Sequence, residues 1–150
     1  MKKYYSMCSD KYRLYCKISN DYYSKKITYN FNAAHQIIGI DSIYYTYGGL
    51  LFRPDDLPAA THYFLNGNTS VLEYYNIPDK RYRFDHKPSR ICYYEETSTI
   101  AEESYTNERG VYHRDNNPAV IFYNNNGEVY QTEWWNDGKL ISFEKHSVKI

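Results

Sequence analysis

The sequence has no apolar run approaching the roughly 20 residues that a membrane-spanning helix needs; its longest apolar patches are broken by Asn, Asp or Lys. No membrane partner is expected. It has no excess charge of either sign, with 18 basic residues against 18 acidic. Without a basic field, nothing holds a polyphosphate backbone at physiological salt, so nucleic acid is not an expected partner either. Cysteine is scarce and odd in number, at Cys8, Cys16 and Cys92. The start of the chain lacks the charged, apolar and small-residue segments of a signal peptide. Together these predict an intracellular, reducing setting and not secretion. Also missing are a G-x-S-x-G elbow, a phosphate-cradling glycine loop and a dinucleotide fingerprint, so neither an enzyme nor a cofactor is expected.

What the chain has in quantity is tyrosine: 20 of its 150 residues, with 6 Phe and 2 Trp, at a mean hydropathy of -0.79. Tyr favours strands and offers a large contact area with a polar tip, which suits a thin sheet wet on one side. Abundant Lys, Asn, Ile, Tyr and Phe is also what an AT-rich genome encodes, a bias without chemical meaning.

The prolines set a register. Pro58, Pro88 and Pro118 stand 30 residues apart. Five residues before them stand Arg53, Arg83 and His113, and three before them Asp55, Asp85 and Asp115. Five after them come Tyr63, Tyr93 and Tyr123, then Glu73, Glu103 and Glu133, then the aromatics Tyr75, Tyr105 and Trp135, with Tyr45 and Tyr15 earlier in the same column. Five columns in one register point to duplication. They predict a single β-repeat domain over 1–150: a cap over 1–21, an eroded repeat over 22–51, repeats over 52–81, 82–111 and 112–141, and a C-terminal cap over 142–150.

Within a unit the apolar period is two, as a strand requires. In the third unit Ala119, Ile121 and Tyr123 alternate with Val120, Phe122 and Asn124. Asn126-Gly127 then turns the chain, and Glu128 to Trp135 returns. Asn66-Gly67 repeats the turn in the first unit, while Glu96-Thr97 replaces it in the second. The fold class is therefore all-β, an antiparallel meander of hairpins in one twisted or partly curled sheet. The face carrying Ala59, Thr61 and Tyr63 and their counterparts has shared chemistry and reads as the core. The face carrying Ala60, His62 and Phe64 varies and reads as exposed or lightly covered.

The segment His113-Arg114-Asp115-Asn116-Asn117-Pro118-Ala119-Val120-Ile121, followed by Trp134-Trp135-Asn136-Asp137-Gly138-Lys139-Leu140, resembles the MORN-like hairpin repeats of giant DNA viruses of amoebae and of some bacteria and phages. Leu57, Lys87 and Asn117 stand where that family usually has glycine before proline. The resemblance implies an antiparallel meander and a viral source, hence a place in the host cytoplasm or the virion. It implies no catalytic activity.

Several columns of that scaffold carry residues capable of chemistry or binding. The Glu column can form a ladder with the Arg column, which is structural, since exposed ion pairs contribute only about 0–1 kcal/mol. The Asp column sits where an Asx side chain fixes a turn. His62 and Cys92 occupy equivalent positions and are ligand types that zinc accepts, but they lack metal-binding spacing, and Phe122 completes their column. In the pairs Tyr44-Tyr45, Tyr74-Tyr75 and Trp134-Trp135 one ring can pack inward and its neighbour outward. Tyr44, Tyr74 and Trp134 would then line one surface, interrupted by Ser104. The expected role is a non-catalytic scaffold with a protein partner. A glycan or small-ligand site on the Tyr/Trp face is the alternative, and a zinc-dependent enzyme using His62 and Cys92 a remote third. Free sheet edges also leave room for a homodimer.

Overall fold

The computed structural model describes residues 18–19 and 23–147. The expected N-terminal cap over 1–21 and the last residues of the C-terminal one, 148–150, lie largely outside them. The strands are β1 (Ile18–Ser19), β2 (Tyr23–Phe31), β3 (Ile37–Tyr47), β4 (Leu50–Leu51), β5 (Ala60–Tyr63), β6 (Thr69–Glu73), β7 (Arg90–Tyr93), β8 (Ile100–Ser104), β9 (Val120–Tyr123), β10 (Val129–Asn136) and β11 (Lys139–Lys145). All lie side by side in chain order in one antiparallel sheet, except β4, which folds back on the end of β3. The sheet does not close: β11 pairs only with β10 among the described residues. The described residues include no helix able to cross a membrane. The all-β meander expected from the period-two pattern is what forms.

Turn chemistry explains the hairpins. Asn66 Oδ1 accepts the N–H of Asn68, and Asn124 Oδ1 accepts those of Asn126 and Glu128. The positive φ that each turn needs falls on Gly67 (88°) and Gly127 (82°). The middle turn lacks glycine; Ser98 takes the left-handed conformation (φ 56°), and the segment between the paired Tyr93 and Ile100 is one residue longer than its counterparts.

That extra residue corrects the columns read from the prolines. Glu73 lies opposite Ala60 and Glu133 opposite Val120, but Glu103 lies one place on, opposite Ile91, with Ser104 opposite Arg90. A one-residue slip turns a side chain to the other face, so Glu103 bonds the Tyr123 hydroxyl (2.8 Å) while Glu73 faces Arg81 and Arg90. A loop one residue shorter before Pro118 then restores the 30-residue proline spacing. The third arginine of the column is consequently Arg114, not His113.

Three arginines lie flat on three tyrosines. Arg53 covers Tyr45, Arg83 covers Tyr74 and Arg114 covers Tyr105, each guanidinium carbon 3.7 Å from the ring centroid. Each also donates from Nη1 to a proline carbonyl, Pro58 (3.1 Å), Pro88 (3.4 Å) and Pro118 (3.4 Å). The backbone repeats as well: Phe52, Tyr82 and His113 donate N–H to the carbonyls of Tyr45, Tyr74 and Tyr105. The loops that carry the arginines turn through left-handed residues, Asp55 and Asp56, Asp85 and His86, then Asn116 alone. The aromatic column is therefore Tyr45, Tyr74, Tyr105 and Trp134, and not the one through Tyr75 and Trp135.

The core is thin. Ala59, Ser89 and Ala119 are fully buried beside Ile91, as expected of their face, but Ala60 and Val120 on the other face are buried too. The largest fully buried side chains are only Thr28, Ser42, Ser89 and Ser104. Ser42 and Thr28 satisfy each other at 2.6 Å. With so little aliphatic burial, the arginine–tyrosine layer serves as the second layer that a sheet needs. Replacing Arg83 by Ala should cost about 1–3 kcal/mol in a urea melt. Arg83→Lys should recover less than half of it, because an ammonium cannot stack flat and bond the carbonyl together.

Candidate functional site

The structure separates the three aromatics expected to share a surface. Tyr44 lies opposite Ala60, half-buried, its hydroxyl 3.2 Å from Ser42 Oγ, its ring edge-on to His62 at 5.6 Å and under Lys26 at 5.8 Å. Tyr74 is buried beneath Arg83 and presents no ring to solvent. Trp134 shares the face of Tyr74 but lies on β10, with β7, β8 and β9 between them. Tyr44 fails to join them because its neighbour, Tyr45, takes the arginine-covered position. The outward row of Tyr44, Tyr74 and Trp134 is therefore not formed.

His62 and Cys92 do lie on one face, each opposite Val71, so all of β6 separates them. Two strand spacings put their backbones about 10 Å apart. That is wide for two ligands of one zinc ion, and each side chain has other company. His62 Nε2 stands 3.9 Å from Glu73 and its ring meets Tyr44. Burial, with the nearby Glu102 carboxylate, pushes the Cys92 thiol up to about 11, the reverse of what a metal-binding or nucleophilic thiolate requires.

Around Cys92 the charges form a chain of their own. Arg90 bridges Glu102 (2.7 Å) and Glu73 (3.7 Å), and Arg81 reaches Glu73 at 3.4 Å. His62, Arg81 and Arg90 together hold the Glu73 carboxyl below its usual range against the opposing effect of burial. The expected Glu–Arg ladder thus exists only at Glu73, and with Arg81 and Arg90, not with Arg53 and Arg83. Arg83 pairs instead with Asp56, whose carboxyl it, with Lys87, holds down to about 2. The Asp column is split by the same loop change: Asp55 and Asp85 are left-handed, and Asp115 faces His113 Nε2 at 3.2 Å. His113 Nδ1 accepts the N–H of Asp137, which leaves Nε2 protonated toward Asp115.

Two open hollows lie on the arginine face. One, about 220 Å³, is walled by Tyr82, Arg83, Lys87, Thr106 and Arg114 between the second and third arginine loops. The other, about 260 Å³, lies at the end of the row among Arg114, Asp115, Asn116, Trp134 and Ile141. Beside it runs β11, exposed along its whole length, with Ile141 62% and Phe143 59% exposed. The 30-residue register places these apolar residues in a repeat end and a cap; the sequence signal for them is Leu140, Ile141 and Phe143 in a segment that no Asn or Gly interrupts.

Two expectations follow from these electrostatics. Carboxyls held low in the folded state contribute stability that is complete above their unfolded values, near 4, and is lost as pH falls toward their folded ones. Urea midpoints should therefore drop between pH about 4 and about 2, and Asp56→Asn should flatten that drop while lowering stability at neutral pH. At pH 8, iodoacetamide should leave Cys92 largely unmodified in the folded chain and label it fully in urea, as read by peptide mass mapping.

Set against known proteins, the chain matches no family model, no curated protein and no solved structure.

Proposed function

We propose that this chain is a non-catalytic repeat scaffold that presents a surface to another protein, of the MORN-like kind found in giant DNA viruses, working in the host cytoplasm or the virion. The observation that carries the reading is the exposure of β11. It is the described strand at the C-terminal end of the sheet; its outer edge has no partner among the described residues, and Leu140, Ile141 and Phe143 stand in solvent there. Exposed apolar side chains grouped on a free strand edge suit strand addition by a partner.

A second copy is the poorer occupant. Two-fold antiparallel pairing of β11 with itself along its full length sets Lys139 against Lys145 at both ends and Leu140 against Glu144. Like charges directly opposite one another oppose pairing, and edge lysines are a common guard against self-association. A different chain, with acidic residues opposite Lys139 and Lys145, meets this edge better.

Affinity capture from the source cell, followed by mass spectrometry, should recover a specific protein with the native chain. Ile141→Ser with Phe143→Ser should retain less than about one tenth of it while melting at nearly the native temperature, since both side chains are exposed. Equal recovery by the variant, or no specific protein with either chain, would overturn the proposal.

A further inference from the structure

Of the four equivalent aromatic positions on the sheet, three carry an arginine and the fourth does not. Tyr45, Tyr74 and Tyr105 lie under Arg53, Arg83 and Arg114 at the same 3.7 Å. Trp134 follows them on the next returning strand, half-buried, with no cation over it among the described residues. The reason lies in the connection. After each tyrosine the chain runs through an arginine loop to a proline, whereas after Trp134 it turns at Asp137-Gly138 and returns directly as β11.

We infer that Trp134 is a receptor for an arginine side chain supplied by the partner of the scaffold, an inference that rests on the protein-interaction reading above. Indole is the strongest of the aromatic rings for a cation, and a planar guanidinium stacks on it where an ammonium cannot. The hollow of about 260 Å³ beside Trp134 has oxygen acceptors in its wall, from Asp115, Asn116 and Asn136, where the inner arginines find a proline carbonyl. Arg114 also lies in that wall, but it is already stacked and bonded. Arg83 and Arg114 share the preceding hollow in the same way, so consecutive guanidiniums are tolerated along the row. Ile141 closes one side with an apolar contact and joins the hollow to β11. A strand added beside β11 would lie two strand spacings, about 10 Å, from β10, so its arginine would reach Trp134 by crossing Ser142, the residue opposite it on β11.

The inner loops supply a probe. A capped peptide with the sequence Phe52 to Ala59 carries an arginine, the turn residues and the proline that the terminal position lacks. Titrated into the full-length isotope-labelled chain, it should shift the Trp134 indole N–H and the Ile141 amide saturably. The Trp134 indole is separable from that of Trp135, which bonds Glu133 at 2.9 Å. A peptide with Arg53→Lys should bind roughly threefold to tenfold more weakly, and one with Arg53→Gln should produce no saturable shift. Trp134→Tyr should keep binding and Trp134→Leu should lose it. No shift with the arginine peptide, or equal shifts with the glutamine peptide, would overturn the inference. If that happens while partner capture still depends on Ile141 and Phe143, the arginine receptor alone fails; if both are lost, the scaffold reading fails with it.

Discussion

An arginine laid flat on a tyrosine, with its far end bonded to a proline carbonyl, recurs at Arg53, Arg83 and Arg114 and organises the rest of the molecule. A single sheet has two faces and, alone, nothing to bury either against. Here the chain leaves the sheet after each tyrosine, brings a guanidinium back over the ring it has just passed, and then turns through left-handed Asp, His or Asn residues to the proline. The tyrosine gives area, and the guanidinium lies flat over it with one nitrogen bonded to a proline carbonyl. This is how a chain of low aliphatic content holds an extended sheet whose fully buried side chains are no larger than threonine.

The same device sets where the molecule is closed and where it is open. Over the central hairpins the recurring residues are engaged with one another: the arginines on the tyrosines, Asp56 with Arg83 and Lys87, and Glu73 with Arg81 and Arg90. Where charges gather they neutralise each other, and where a thiol lies among them burial raises it. At β11 the pattern stops, with apolar side chains exposed and Trp134 uncovered by any cation among the described residues. At this end of the sheet the contacts that a following hairpin would have made are still available, and this is where the proposed partner would dock.

Much of the scaffold was legible from composition and pattern. Alternation around Ala119 to Tyr123, the Asn-Gly turns and the proline spacing state hairpins, and hairpins in succession state a meander. The site was not legible, for a geometric reason. One residue more in the turn at Glu95 to Ser98 and one fewer in the loop before Pro118 cancel in the proline spacing. Between them every side chain is offset, so His113 took the place of Arg114 in the column and Glu103 was grouped with carboxylates on the opposite face. Counting from one landmark cannot reveal a pair of compensating changes.

The sequence by itself determined that the chain forms strands, where it turns and that its strands pair with their neighbours, because these depend on local torsional preference and on a period of two. Tertiary structure alone decided which face each side chain occupies and which tyrosine each arginine covers. Those outcomes depend on the register between strands, and register is fixed by how many residues each turn consumes. It also decided that Tyr74 is buried while Trp134, the same position two hairpins later, is left without a cation. Identical local sequence rules acted on both; only the presence or absence of a following arginine loop separates them.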